Sequence, residues 1–348
     1  MKITTLGEFD LIEKIRKSAI SSSSAVIAGI GDDAAVLKVS GSSLLLVTTD
    51  MLIEGVHFDL AYTDYYSLGW KSAAVNLSDI GAMGGIPRFC LTSLAIPAAI
   101  TVKQISEFYR GFNTVIRAHR TALVGGDTCS SASGFTVSVT VLGDVEKTRV
   151  LTRAGAKPGD RIFVTGGVGD SAAGLEILKY GSKGLQKQNA INGPRSLIEA
   201  HLRPIPRMKW GRIIALSRCA HAMIDISDGL SSDLGHICEQ SGVGAVIEAG
   251  KIPLSLSLRK VAVHLVNKPV HYALSGGEDY ELLFTAPPEK LRKLRSLDVP
   301  LYEIGEVTRN RSMLILGQDG KKKQLRPTGY NHFSKRSERK QCRQIPCL

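Results

Sequence analysis

Apolar runs of strand length in this chain repeatedly stop on carboxylates, and that habit restricts the folds open to it. The run "LLLVTTDMLIEGVHF", residues 44–58, passes from leucines and a valine to Thr48, Thr49 and Asp50, with His57 one short loop further on. The pattern returns in "GIGDDAA" with Asp32 and Asp33, in "VGGDT" with Asp127, and in "IDISDG" with Asp225 and Asp228. Asp79 sits in "NLSD", inside an Ala-rich helical stretch. Burying one unpaired carboxylate is expensive. Either each acid is a separate turn or cap, or the fold gathers them around a shared compensating charge. An Asp after glycine is a frequent turn former; Asp79 alone fits a solvent-facing helix acid, and Asp228 alone fits a helix N-cap. Separate turns account for each motif but not for the repeated placement where strands end.

Gathered acids need cations, and no Lys or Arg stands beside these motifs. The economical partner is a metal ion. Oxygen donors without Cys or His suit magnesium or another hard cation, which commonly bridges carboxylates to phosphate. Glycines next to the acids, in "GIGDD", "VGGDT" and "SGGED", let backbone amides approach anionic oxygens. No Gly-Lys-Ser/Thr follows any of these glycine turns, so none is a Walker A loop. Among neighbouring residues, His57 fits either a substrate anion or a satisfied core position. Arg153 fits a phosphate or a linker ion pair, and Tyr109 and Tyr330 fit either a ring-covering role or core packing.

Strand and helix patterns interleave in both halves, which predicts α/β layering. The stretch from residue 64 reads as a capped helix with a double-glycine stop, and Thr101 with Gln104 forms a capping-box pattern. "TALVGGDT" reads as a short strand meeting a glycine turn. At 348 residues the chain is long for one core. The Gly-Ala-Lys-Pro-Gly cluster after Arg153 marks the boundary, giving units at 1–148 and 149–333 and a tail at 334–348.

The net charge of +12 raises a nucleic-acid partner as a possibility, but its location argues against one. Residues 321–348 hold nine Lys or Arg and one acid, net +8, so the first 320 residues hold only +4. That excess reads as a solvated, disordered tail. The six cysteines are scattered with no CxxC spacing, which supports neither a disulfide framework nor a zinc site. No apolar run is long enough for a membrane span, and the N-terminus lacks a signal-peptide core, so the expectation is a cytoplasmic protein with no membrane partner.

Taken together, "GEFDLIEKI", "GIGDDAAVL", "TTDMLIEGVHF", "KSAAVNLSDIGAMGG", "LVGGDT", "LTRAGAKPGD", "GDSAAGLEIL", "HLRPIPR", "IDISDGLSSDLGHI", "LSGGEDYELLFT" and "GYNHF" resemble the thiamine-monophosphate kinase family, in order, from Gly7 to Phe333. The resemblance implies a two-domain α/β fold (layered α+β) shared with aminoimidazole ribonucleotide synthetase and selenophosphate synthetase. In it, the N-terminal domains of two subunits join into a β-barrel across a homodimer. It also implies ATP-dependent phosphorylation of thiamine phosphate to thiamine diphosphate with several Mg2+ ions. Carried over residue by residue, it implies magnesium ligands at Asp33, Thr48, Thr49, Asp50, Asp79, Asp127, Asp225 and Asp228. Tyr109, Gly126, Asp127, Arg153 and Ser227 are implied as ATP contacts, and His57, Glu278 and Tyr330 as thiamine-phosphate contacts. No residue is implied as a general base, because the acceptor is already an ionised phosphate. The nearest rivals are the sister activities, aminoimidazole ribonucleotide and selenophosphate synthesis; the latter calls for a reactive cysteine near the N-terminus, and none precedes Cys90. A nucleotide sensor without turnover and an RNA-binding tail are rivals of other classes.

Overall fold

The computed structural model describes residues 8–18, 24–39, 41–180, 195–330 and 332. After helix α1 (Glu8–Ser18), the first half builds one six-stranded sheet. Its strands are β1 (Val26–Ala28), β2 (Ala35–Lys38), β3 (Ser43–Ile53), β4 (Ile86–Pro97), β5 (Ala122–Ser131) and β6 (Thr136–Glu146), in the order β1-β2-β3-β6-β4-β5. Neighbours run antiparallel except β4 and β5. Val137, Val139 and Val141 alternate with less buried residues, and the valine face of β6 enters the core.

Helices α2 (Tyr65–Ala82) and α3 (Val102–Ala118) belong to that core. Asp64 caps α2 by accepting the Ser67 amide at 2.8 Å, and Thr101 with Gln104 completes the capping box of α3. The two helices meet through glycines. A Cβ on Gly69 would lie 1.9 Å from the Phe108 carbonyl oxygen, and one on Gly111 would lie 1.9 Å from that of Tyr66. With both side chains missing, the backbones approach closely enough to bury nearly all of α2. Met51 and Phe89, in contrast, are 52% and 50% exposed on the sheet, and β5 is exposed along most of its length.

The second half forms a seven-stranded sheet from β7 (Arg161–Val164), β8 (Ala222–Asp225), β9 (Gly244–Glu248), β10 (Leu282–Ala286), β11 (Tyr302–Thr308), β12 (Met313–Leu316) and β13 (Lys322–Gln324). Their order is β13-β12-β9-β11-β7-β10-β8, antiparallel except for β9 with β12. Alternate residues feed two cores: Ile162, Val164, Ile224 and Leu283 enter one, and Phe163, Met223 and Phe284 the other. Helices α4 (Asp170–Tyr180), α5 (Arg195–Leu202), α6 (Met208–Ser217), α7 (Leu230–Ser241), α8 (Leu256–Val261), α9 (Pro269–Ser275) and α10 (Leu291–Arg295) surround it. Helix α2 packs against both β6 and β8 and so joins the two sheets.

Three local expectations are corrected. Asp50 does not end its strand, because β3 pairs with β6 without interruption from Ser43 to Ile53. Nor do the glycines of "VGGDT" make a turn: β5 continues through them, paired with β4 from Phe89 to Pro97 with one register shift at Val124. The tail at 334–348 lies outside the described residues, but the basic stretch before it is no solvated tail, since Lys322–Gln324 form β13 and pair with β12. Among the described residues, no helix is long and apolar enough to cross a membrane.

Candidate active site

Period-2 geometry sorts the residues of β3. Thr48 and Asp50 share the face that meets α2, whereas Thr49 points the other way and donates to the Val139 carbonyl at 3.1 Å. Thr48 donates its hydroxyl to Asp79 Oδ2 on α2. The Asp50 amide donates to Asn76 Oδ1 at 3.0 Å, one turn earlier on the same helix. Ser78, also on α2, donates to Asp225 Oδ2 at the end of β8. Asp33 comes in from the loop after β1. Carboxylate oxygens of Asp33, Asp79 and Asp225 lie within 4.8 Å of one another. Asp79 is thus no solvent-facing helix acid.

The electrostatics of this group are strained. Burial, then Asp33, raises Asp50 to about 6 and Asp225 to about 8. Burial and the charges of Asp50, Asp225 and Asp33 lift Asp79 well above the ordinary carboxylate range. Asp32 goes to about 7, from burial and then Asp33. The nearest cation comes from far along the chain: Arg153 donates from Nε to Asp33 Oδ1 at 3.0 Å and again from Nη2. It pairs with Asp33 and supplies a cation that the local motifs lacked. One guanidinium does not balance five acids, and Asp33 Oδ2 is buried with no hydrogen-bond partner. An oxygen-only donor set, an excess of negative charge and an orphaned carboxylate oxygen together fit a hard divalent cation.

A second group adjoins the first. Asp228, Asp233 and His236 bring ligand atoms within 4.8 Å of one another at the start of α7. Asp233 accepts from the Asp228 and Gly229 amides at 3.2 and 3.0 Å. Burial, then Asp228 and Asp225, raises it well above the ordinary range, so the two groups feel each other. Sequence reading missed Asp233 and His236, although their i, i+3 spacing in "SSDLGHI" puts them on one helix face.

The loop "SGGEDY" lies against the loop after β8. The Glu278 amide donates to the Ser227 carbonyl at 2.7 Å, and the Tyr330 amide donates to the Asp228 carbonyl at 3.2 Å. Glu278 and Tyr280 both adopt positive φ, at 58° and 52°, a costly conformation for side-chain-bearing residues. Glu278 meets Lys71 of α2 at 2.7 Å and His201 of α5 at 3.3 Å. Burial pushes Glu278 up, but Lys71 and then His201 outweigh it and hold the carboxyl below its ordinary range. His57 accepts the Ile53 amide at Nδ1, 3.0 Å, and sets Nε2 3.4 Å from that of His332, whose ring stands edge-on to Tyr330. Burial, then His332, lowers His57 to about 4. Ser227, Asp228, Glu278, His57 and Tyr330 therefore converge beside the acid cluster.

Gly126, Asp127 and Tyr109 lie elsewhere in the protomer. One row crosses the first sheet from Asp50 through Val139 and Thr92 to Gly126, with Asp127 in the next row. Three strand spacings separate β3 from β5, about 14 Å. A Cβ on Gly126 would lie 1.8 Å from the Thr92 carbonyl oxygen, so only glycine fits there. The Tyr109 hydroxyl is 3.0 Å from that of Thr92, and Asp127 is exposed.

Comparison with known proteins agrees with this architecture. The family models described as AIR synthase related protein, N-terminal domain and C-terminal domain, match residues 31–145 and 157–316. The chain is 40% identical over 333 residues to a thiamine-monophosphate kinase of Bacillus subtilis, covering 94% of this chain and all of that one. It is 38% identical to that of Aquifex aeolicus, over 96% of this chain and all of the relative. Among solved structures, one described as AaThiL complexed with AMPPCP and TMP superposes with a TM-score of 0.82 at 37% identity, covering 95% of this chain and 99% of that one. The HypE–HypF complex, at 17% identity, 91% and 99% coverage and a TM-score of 0.68, shares the fold. The chain belongs to the thiamine-monophosphate kinase family.

Proposed function

We infer that this chain transfers the γ-phosphoryl group of ATP to thiamine phosphate, yielding ADP and thiamine diphosphate. The observation that carries the reading is the buried carboxylate cluster, short of cations, beside the converging side chains of Glu278, His57 and Tyr330. The chain's relatives bear the matching name, and one related structure is described as holding an ATP analogue and TMP.

An oxygen of the acceptor phosphate attacks the γ-phosphorus as the bond to the β,γ-bridging oxygen breaks, and ADP leaves. Two unit charges 4 Å apart repel by roughly 4 kcal/mol at an effective dielectric near 20, and several such pairs oppose the approach. Magnesium, when bound, would offset that repulsion between the two anions. Asp33, Asp50, Asp79 and Asp225 would hold it, with Thr48 and with Asp228 at the neighbouring group. Arg153 orients Asp33. No side chain has to remove a proton from the acceptor. Ser227 and Arg153, with Gly126, Asp127 and Tyr109 on the first sheet, are assigned to ATP; Glu278, His57 and Tyr330 are assigned to thiamine phosphate. Thr49 faces away from the cluster, so any part it plays is taken from the outer side of β3.

The working form is a cytoplasmic homodimer, with units at 1–148 and 149–333, in which the first sheets of two subunits close into a barrel. Bare apolar residues on the sheet and the exposed strand β5 support that arrangement. The test is to incubate the purified chain with ATP, magnesium chloride and thiamine phosphate and to separate the products by chromatography. Thiamine diphosphate formed in step with ADP is the expected result. ADP without thiamine diphosphate, or neither product, refutes the reading.

A further inference from the structure

Lys71 is only 2% exposed, in the middle of a helix whose other buried residues are mostly small or apolar. Its Nζ reaches Glu278 Oε1 at 2.7 Å, across the boundary between the two halves. The second oxygen, Oε2, is met by His201 Nδ1 at 3.3 Å, and that same nitrogen lies 3.1 Å from the Ser171 hydroxyl. Burial, then Lys71, lowers His201 to about 3, so the ring is neutral. Lys71 thus holds one oxygen of Glu278 from inside the protein, and the His201 ring lies beside the other. The carboxylate is still about a quarter exposed, and it lies close enough to His57 for the two charges to act on each other.

The same helix also carries the metal-facing residues. Lys71, Ser78 and Asp79 are related by seven and eight residues and share a face of α2. At 1.5 Å per residue, Lys71 and Asp79 are about 12 Å apart along the axis. One largely buried element thus anchors a carboxylate near its middle and the acid cluster near its C-terminal end.

We propose that Lys71 is a positioning residue for the acceptor substrate. It fixes Glu278 as a hydrogen-bond acceptor for an N–H donor at the end of the substrate remote from its phosphate. Through α2 it sets the distance from that end to the phosphoryl-transfer centre. Because Lys71 neutralises the carboxylate it orients, Glu278 recognises the donor by hydrogen bonding more than by net charge. The inference rests on the assignment of Glu278 to thiamine phosphate and adds to it the residue that aims it.

The experiment uses full-length Lys71→Met, Lys71→Arg, Glu278→Gln and the double variant Lys71→Met/Glu278→Gln, with KM measured separately for thiamine phosphate and ATP. Lys71→Met should raise KM for thiamine phosphate about tenfold and leave KM for ATP within about twofold, with Lys71→Arg recovering part of the loss. The double variant should match Glu278→Gln alone, since Lys71 acts through that carboxylate. An unchanged KM for thiamine phosphate in Lys71→Met, an equal rise in both KM values, or additive effects in the double variant would overturn the proposal. If Lys71→Met does not fold, the comparison of Glu278→Gln with the charge-balanced double variant decides in the same way. A Glu278→Gln variant with wild-type KM for thiamine phosphate would instead remove the assignment of Glu278, and the inference with it. Absence of kinase turnover in the parent chain would remove the functional reading itself.

Discussion

Asp79 shows how much a single side chain decides here. It is surrounded by Asp33, Asp50 and Asp225, accepts the Thr48 hydroxyl, and lies near the C-terminal end of α2, most of whose residues are buried. A residue held by repulsion from its neighbours contributes little to metal-free stability, so function is what its removal should damage. Asp79→Asn is expected to lower kcat roughly 100-fold at limiting magnesium and to regain part of it as magnesium rises. Without magnesium, its melting temperature should equal or exceed that of the parent chain. Turnover against magnesium concentration, together with thermal melts in a chelator, checks both halves; wild-type turnover at limiting magnesium would dismiss Asp79 as a ligand. The acids themselves were legible because carboxylates next to glycine and in apolar runs contradict their surroundings. Arg153 was legible only as a question, since its partner Asp33 lies 120 residues away and nothing local favours that pair over a phosphate. Thr49 was grouped with Thr48 by sequence, and the strand's alternation separates them.

Among the elements, α2 and α3 were readable from their caps, because Asp64 and the Thr101–Gln104 pair act within one turn of chain. Their contact was not, since Gly69 and Gly111 are 42 residues apart in the sequence and glycine alone does not announce a helix crossing. Gly111→Ala should force a Cβ onto the Tyr66 carbonyl oxygen and cost about 1–3 kcal/mol, seen as a melting temperature several degrees lower. An unchanged melting temperature would mean that α2 and α3 adjust freely. Helix α5 gives a prediction in pH. His201 titrates near 3 in the fold and near 6.5 when unfolded, so between those values the unfolded chain holds one more proton. Stability should therefore fall by about 1.4 kcal/mol per pH unit for this residue as pH drops below roughly 6.5. His57 and His236, both lowered to about 4 mainly by burial, add to the slope down to that pH. Urea unfolding between pH 7 and 4.5 should show a shallower decline in His201→Asn than in the parent chain. Parallel declines would show that this ring is not held neutral.

At the scale of the whole molecule, the α/β layering followed from interleaved strand and helix patterns, whereas the relation between the sites did not. The carboxylate cluster and the Glu278 pocket lie where α2 meets both sheets, but Gly126 and Asp127 sit on the exposed strand β5, about 14 Å from β3 in the same protomer. A residue on an open edge is a poor place for a phosphate contact, because water competes for each hydrogen bond. Edge strands left bare are also sites of pairing between chains. Both difficulties disappear if a second copy covers β5 and the outer sheet face, where Met51, Phe89 and Leu91 are exposed. Closing that face would also exclude water around Asp127, coupling dimerisation to ATP use. Introducing charge at two points of the face, Met51→Lys with Leu91→Lys, should shift the chain from dimer to monomer in sedimentation velocity. Neither side chain is in the core, so the melting temperature of the monomer should reflect only the lost interface. KM for ATP should rise together with the monomer fraction, and increasing protein concentration should partly reverse both. A variant that stays dimeric places the interface on another surface, whereas a monomer with unchanged KM for ATP shows that one protomer completes the nucleotide site alone.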